Sequence, residues 1–504
     1  MLVWLMLRSA DLLKSKLPPG PRPFLFFGNL FDIPSKSPWE TYATWRQQYG
    51  ADLLHLTIFQ HHIIVINSYS VAVDLLDKRS AIYSDKPVLM ALNSMGWGFN
   101  LAFLCYDDPH RRIYRRLIHQ GLGMPSIHDI QETLSKGSQE FLFNLQHDPE
   151  NFLEYAVQYA VAMILQRTYG FTNSMKDYQN EIYHCALEAI DIFSESVFFG
   201  AQVVFAFPAL AHLPSWFPGE EPFHVMKAHM SHSSNRYNLS GKRSLFAVTS
   251  WLSSMLGEQV SGDVRVPTES DIQGATASAW SGTFSSYNHV LPLDAHNKIV
   301  HLDSIRAQTS SALQSGFLAM VLYPEVQPRA QEEIDRVVGR HRLPSFEDHE
   351  ALPYICAICW EIVRWHSPAP LTGRATSKPD VYMGYEIPQD TVVMVNLWEM
   401  SRDPDTFKDP DRFIPERFLK NDVLRKDVPD LMWGFGRRVC AGRVFAESTL
   451  WIAIARVLAV YNLTKDGDVR EQYTNSGLFL RPLPFKCSFR LRFPVTKLMI
   501  SEES

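Results

Sequence analysis

Residues 433–442 constrain this chain more than any other stretch. They read Trp-Gly-Phe-Gly-Arg-Arg-Val-Cys-Ala-Gly and run into the apolar segment Val444 to Leu458. Gly434, Gly436 and Gly442 permit tight turns and let the backbone approach a flat ligand closely. Arg437 and Arg438 put positive charge near Cys440, which favours a thiolate over a thiol. The apolar segment reads as a long helix whose N-terminus adds partial positive charge near the sulfur. The loop therefore reads as a holder of an anionic sulfur against a buried surface.

Cysteine usage sharpens that reading. Six cysteines in 504 residues are too few for a disulfide scaffold. Cys105, Cys185 and Cys487 read as inert core residues. Cys356 and Cys359 have C-x-x-C spacing but fall mid-helix with no second pair, so neither zinc nor redox chemistry is expected there. A hydrophobic fraction of 46% excludes disorder. With 48 basic and 54 acidic side chains the net charge is −6, which gives no footprint for nucleic acid. At about 150 residues per domain, length alone suggests about three domains.

Met1 to Leu7 is apolar and ends at Arg8; Leu12, Leu13 and Leu17 follow among Lys14 and Lys16. A spanning helix needs roughly 20 apolar residues. Residues 1–17 therefore read as a basic amphipathic helix or the stub of an anchor, short by a dozen or so residues. A frayed surface helix fits them equally well. Leu17-Pro18-Pro19-Gly20-Pro21 and Pro23 form a stiff elbow. Beyond it, 52–67 reads as a strand pair and 70–260 as mostly helix. Residues 381–397 read as short strands with a turn at Gly384, and 478–493 as a closing hairpin. No repeat or later domain boundary is visible. Residues 262–308 lack helical periodicity, an unusual length of irregular chain for a compact domain.

Four further segments bear on Cys440. Glu361-Ile362-Val363-Arg364 puts an acid and a base on one helix face at i and i+3. Apolar flanks at Ile355, Ile358, Trp360 and Trp365 point to a buried pair. Downstream, Pro415-Glu416-Arg417-Phe418 carries a second arginine. Pro368 to Arg374 ends on another, and the basic stretch Tyr106 to Arg116 includes Arg115. In this order, with residues 433–442, these segments resemble the cytochrome P450 family. Its haem-ligand loop reads Phe-x-x-Gly-x-Arg-x-Cys-x-Gly. Gly436, Arg438, Cys440 and Gly442 match; Trp433 stands for Phe and Ala441 for the common Pro. The resemblance runs from the elbow to the terminal hairpin and points to fungal-type members of specialised metabolism.

The resemblance implies a mainly α fold with small β-sheets, the cytochrome P450 fold, in which 18–504 form one haem-thiolate domain. Cys440 would be the axial thiolate ligand of haem b iron. Arg438, Arg374 and Arg115 would meet haem propionates, as Arg–carboxylate pairs do. Glu361, Arg364 and Arg417 would form a structural triad beneath the haem loop. In the Trp-Arg-x-x-Arg segment the Trp is missing, and His110 or Arg111 takes its place.

One departure concerns the central helix, where the family carries an acid and an alcohol that relay protons. Counting back from Ser310 to Met320 puts Ala307 at the acid and Gln308 at the alcohol, with Thr309 the neighbouring hydroxyl. Ala279-Trp280-Ser281-Gly282 resembles the start of the same motif, so it is split by residues 283–308. That stretch is either a surface insertion, with the relay running through Thr309 or water, or an unspliced intron carried into the sequence.

The implied activity is monooxygenation of an apolar small molecule in secondary-metabolite biosynthesis. Electrons would come from NADPH through a cytochrome P450 reductase docking on Arg115, Arg116, Arg437 and Arg443. The expected location is the cytosolic face of the endoplasmic reticulum membrane, with peripheral contact through the N-terminus. Two alternatives remain: a haem-thiolate isomerase or dehydratase without oxygen activation, and a non-catalytic protein damaged by the insertion. Phe193, Phe198, Phe199 and Phe205 suggest an aromatic pocket, although core packing explains them as well.

Overall fold

The structure is a computed structural model that describes residues 16–34, 37–87, 100–169, 305–474 and 480–493, with strand 284–286 and scattered positions between 268 and 279. The four pocket phenylalanines lie outside these residues.

Helix α1 (Pro38–Tyr49) begins on a proline, whose missing N–H is not needed at that position, and ends at Gly50 in the left-handed region. Strands β1 (Leu53–Ile58) and β2 (His61–Ile66) follow as the expected pair, antiparallel from Leu53↔Ile66 to Ile58↔His61. Helix α2 (Pro109–Leu122) is capped by Asp108, whose carboxylate accepts from the His110 amide. Helices α3 (Ile127–His147) and α4 (Phe152–Tyr169) pack against each other.

Strands β3 (Phe284–Ser286) and β4 (Ile305–Ala307) pair antiparallel, Phe284 opposite Ala307. The chain thus returns beside the point where it left, and helix α5 (Gln308–Leu322) starts on the next residue. Every position of α5 from Thr309 to Val321 is buried, including the polar Thr309, Ser310, Ser311, Gln314 and Ser315 of its first half. Helices α6 (Val326–Val337) and α7 (Pro353–Trp365) follow. The Glu333 carboxylate of α6 accepts from the Tyr354 and Ile355 amides, so it satisfies the N-terminus of α7.

Next come β5 (Leu371–Ala375), β6 (Asp380–Tyr382), β7 (Tyr385–Ile387) and β8 (Val392–Asn396). The main sheet has the order β1-β2-β8-β5, with β2 and β8 parallel and the other neighbours antiparallel. Helix α8 (Arg443–Val460) is the expected long apolar helix. It packs on α3, α5, α6 and α7. Gly316 of α5 lies at the crossing, where a Cβ would stand 2.8 Å from Ile362 Cδ1 and 2.9 Å from Ile454 Cδ1.

The closing strands differ from expectation. Strand β10 (Cys487–Leu491) pairs with β9 (Tyr461–Lys465), which continues directly from α8, and not within 478–493. Alternation identified a strand there, but its partner is distant in sequence. Within 478–493 and its approach, the described pairing is the single bridge Tyr473↔Pro482.

Candidate haem-binding site

The loop before α8 is folded by its own backbone. The Cys440 amide donates to Trp433 O at 2.8 Å, and the Val439 amide to Gly436 O at 3.2 Å around a turn of 3-10 helix. Gly434 and Gly436 have φ of 78° and 51°. A Cβ at Gly436 would lie 2.2 Å from the Leu76 carbonyl oxygen, so this position demands glycine twice over. Gly442 differs: its φ is ordinary at −94°. A Cβ there would project into open space beside Cys440, the room that a flat ligand needs.

Cys440 keeps accessible surface although protein surrounds it. Desolvation is the largest influence and pushes its thiol up. The Gly442 amide, Arg115 and Arg443 pull it back down, and Glu447 pushes it up again. This corrects the source of positive charge. Arg437 turns away to the Tyr106 hydroxyl. Arg438 donates to the carbonyls of Ser84 (2.8 Å), Leu101 (3.4 Å) and Leu104 (2.7 Å). The 3-10 turn points both side chains back across the loop, so Arg115 of α2 and the start of α8 act on the sulfur instead.

Four cations converge beside the loop. Arg115 donates to Val439 O at 2.8 Å. Arg374 on β5 is buried, donates to Thr372 Oγ1 and Gly373 O, and is pushed down to about 9 by desolvation, then by Arg438 and Arg115. Arg438 is pushed down to about 10, chiefly by desolvation and then by Arg111. Lys86 completes the group: its Nζ donates to Gly373 O at 2.6 Å, and desolvation, Arg374 and Arg438 hold its pKa well below the usual range. Among the described residues, no ion pair within 4.0 Å neutralises any of the four. Buried charge of one sign calls for a partner of the other, and two carboxylates such as haem propionates supply it. The donor set and the nearby cysteine therefore fit haem. Lys86 is missed by sequence reasoning, because its neighbours belong to β5 and the cysteine loop.

Glu361, Arg364 and Arg417 meet in one network. Glu361 accepts from Arg364 Nε (2.6 Å) and Nη2 (2.8 Å), from Arg417 Nε (3.1 Å) and from the Ile414 amide (2.8 Å). Arg364 also donates to the carbonyls of Ser401, Pro410 and Arg412. Glu361 and Arg364 are fully buried, and this network sets the chain after Met400 against α7.

The candidates on α2 separate. His110 Nδ1 lies 2.7 Å from the buried Asp271 carboxylate, whereas Arg111 is buried over the Tyr106 ring. Thr309 is buried in the first turn of α5, after Ala307 closes β4. Among the described residues, no hydrogen bond joins it to the cysteine loop. Two of the four arginines of the expected docking face are engaged elsewhere. Arg115 turns inward, and Arg443 pairs with Asp430 and Glu447.

The comparisons with known proteins agree with this geometry. The cytochrome P450 family model matches residues 18–232 and 307–489 and leaves out 233–306, a gap that takes in 279–282 as well as 283–306. The chain belongs to the cytochrome P450 family. It is 33% identical to cytochrome P450 monooxygenase 208 of Postia placenta over 99% of this chain and 95% of that protein. It is 34% identical to cytochrome P450 monooxygenase COX1 of Coprinopsis cinerea, covering 95% and 92%. Cytochrome P450 monooxygenase claR of Ampulloclitocybe clavipes is 32% identical, covering 94% and 86%. The chain is accordingly an oxidoreductase of the P450 monooxygenase class, and fungal proteins are prominent among its relatives.

Proposed function

We propose that this chain is a haem-thiolate monooxygenase that places one oxygen atom of dioxygen in an apolar small molecule, within secondary-metabolite biosynthesis. The carrying observation is the accessible cysteine beside four cations that, among the described residues, form no ion pair within 4.0 Å. Bound haem supplies the oxygen-activating chemistry. Cys440 would ligate its iron, and Arg115 and the N-terminal amides of α8 favour the thiolate that ligation requires. Arg374, Arg438, Arg115 and Lys86 would hold the propionates. Glu361, Arg364 and Arg417 keep the platform rigid, and Thr309 would be the hydroxyl that passes a proton. Residues 18–504 act as one domain with 283–308 as an insertion. NADPH supplies electrons through a reductase, and the protein works on the cytosolic face of the endoplasmic reticulum membrane.

Reduction under carbon monoxide tests this. The Soret band should move far to the red in the native chain and fail to do so in Cys440→Ala. No shift in the native chain overturns the proposal. Ala307 and Gln308, which replace the acid and alcohol, favour a second reading as an isomerase or dehydratase. NADPH consumption with reductase and substrate separates the two. If the red shift appears without consumption, the second reading stands.

A further inference from the structure

Arg443 and Glu447 occupy the first two turns of α8, directly after the cysteine loop. Glu447 Oε1 accepts from Arg443 Nε at 2.9 Å, and Arg443 also reaches the Asp430 carboxylate. The Glu447 carboxylate accepts from the indole N–H of Trp433 as well. Trp433 is the residue whose carbonyl takes the Cys440 amide, and its ring lies under the Arg443 guanidinium, 5.7 Å from carbon to centroid. Glu447 is thus tied on one side to the first residue of α8 and on the other to the loop that carries the sulfur. The P450 motif has Phe where this chain has Trp433, and a phenyl ring has no N–H to offer. The departure supplies a donor, and Glu447 is the acceptor that uses it. Glu447 is half-buried, on a helix packed against α7 and close to Cys359 of that helix. A carboxylate so placed keeps more of its field than one fully in water.

We propose that Glu447, held by Trp433 and Arg443, is a positioning residue that sets the reduction potential of the haem iron Cys440 would ligate, a role that rests on the haem-thiolate reading above. Three observations carry it. The first is distance. Five residues of helix place Glu447 about 7.5 Å along α8 from Gly442, and Gly442 lies two residues past the sulfur. That is too far for contact and near enough for a charge to act. The second is sign. Arg115 and Arg443 act on Cys440 as positive charges, and Glu447 acts on it as a negative one. The third is rigidity. Two donors, from Arg443 and Trp433, fix the carboxylate relative to the loop, so its effect is built in by folding. The step concerned moves one electron of NADPH through the reductase and turns ferric iron to ferrous. Glu447 neither gains nor loses a proton in it. A carboxylate behind the sulfur opposes the added negative charge and lowers the potential, whereas Arg443 raises it. The pair thus trims the potential from both sides.

The test is spectroelectrochemical titration of the haem-loaded full chain, with the red-shifted ferrous carbonyl band as the check on an intact thiolate. Glu447→Gln keeps the shape of the side chain and an acceptor for Trp433, and removes the charge. Its potential should rise, so that at the native midpoint the ratio of ferrous to ferric protein increases at least threefold, about 28 mV when tenfold is about 59 mV for one electron. Arg443→Gln removes the opposing charge, and its potential should fall. A merely structural role lowers the unfolding midpoint of both variants and does not split their potentials in opposite directions. With the carbonyl band intact, a Glu447→Gln potential equal to the native one, or a shift of both variants in one direction, overturns the proposal and leaves the haem reading standing. Should Glu447→Gln fail to fold, Arg443→Gln decides: a fall supports the proposal, and an unchanged or raised potential overturns it. A native chain without the carbonyl band overturns the haem reading and this role with it.

Discussion

Replacing Glu361 with Gln tests whether the buried triad is a stability element. The two side chains have nearly the same shape, so packing is preserved. Glu361 serves four donors, three of them on arginines, and is fully buried. A glutamine offers one acceptor oxygen and turns an NH2 group toward an arginine. It also leaves Arg364 as a buried charge whose remaining partners are carbonyls. Breaking such a pair from one side costs about 3–5 kcal/mol. Set against a total of about 5–15 kcal/mol, that is a large fraction of the native stability. The assay is the urea midpoint followed by tryptophan fluorescence, read beside the yield of red-shifted carbonyl complex. Midpoint and yield should both fall. Glu132→Gln, which removes the partner of Lys136 on the exposed face of α3, should change neither. Pairing Glu361→Gln with Arg364→Met should cost less than the sum of the single changes, because the orphaned charge is gone. Equal midpoints for native and Glu361→Gln proteins, or strict additivity in the double variant, would refute the reasoning.

Other outcomes follow from the same geometry. Gly436→Ala should abolish the red-shifted carbonyl spectrum, since the left-handed φ alone costs about 1–2 kcal/mol and the Leu76 carbonyl must also move. Arg374→Met should raise the melting temperature of haem-free protein by relieving repulsion with Arg438 and Arg115, yet speed haem loss to apomyoglobin. Burial holds His366 far below 6.5 and His55 at about 4, so both are neutral in the folded chain. The unfolded chain takes up protons first as pH falls below about 6.5, and stability drops on the acid side. For His55 the loss is complete near pH 4, and His55→Gln should flatten that part of a melting-temperature profile.

What the sequence disclosed depended on how far apart the interacting groups lie. The Glu361–Arg364 pair was legible because both charges sit one helical turn apart among apolar neighbours. Strands β1 and β2 were legible from their branched residues and short connection. The partner of β10 was not, because β9 is an extension of α8. Arg437 and Arg438 were read as charges on the sulfur from proximity in sequence, but a turn of 3-10 helix reverses that proximity. Lys86 carried no signal of its own, since its importance comes from the backbone of β5 passing beneath it. Gly442 was grouped with the turn glycines, whereas only the open space beside Cys440 marks it out.

The ladder between β3 and β4 brings the two ends of the intervening chain together. Residues opposite each other in an antiparallel pair have Cα atoms about 4.5–5.5 Å apart, and consecutive residues need 3.80 Å. Phe284 and Ala307 are such a pair. Because the strands run antiparallel, joining them takes a turn of about two residues, and the register of α5 from Gln308 onward could then remain as it is. A gene could gain or lose this stretch in one event without disturbing the triad or the cysteine loop. The shortened chain would be a natural starting point for asking what length of central helix this catalyst needs.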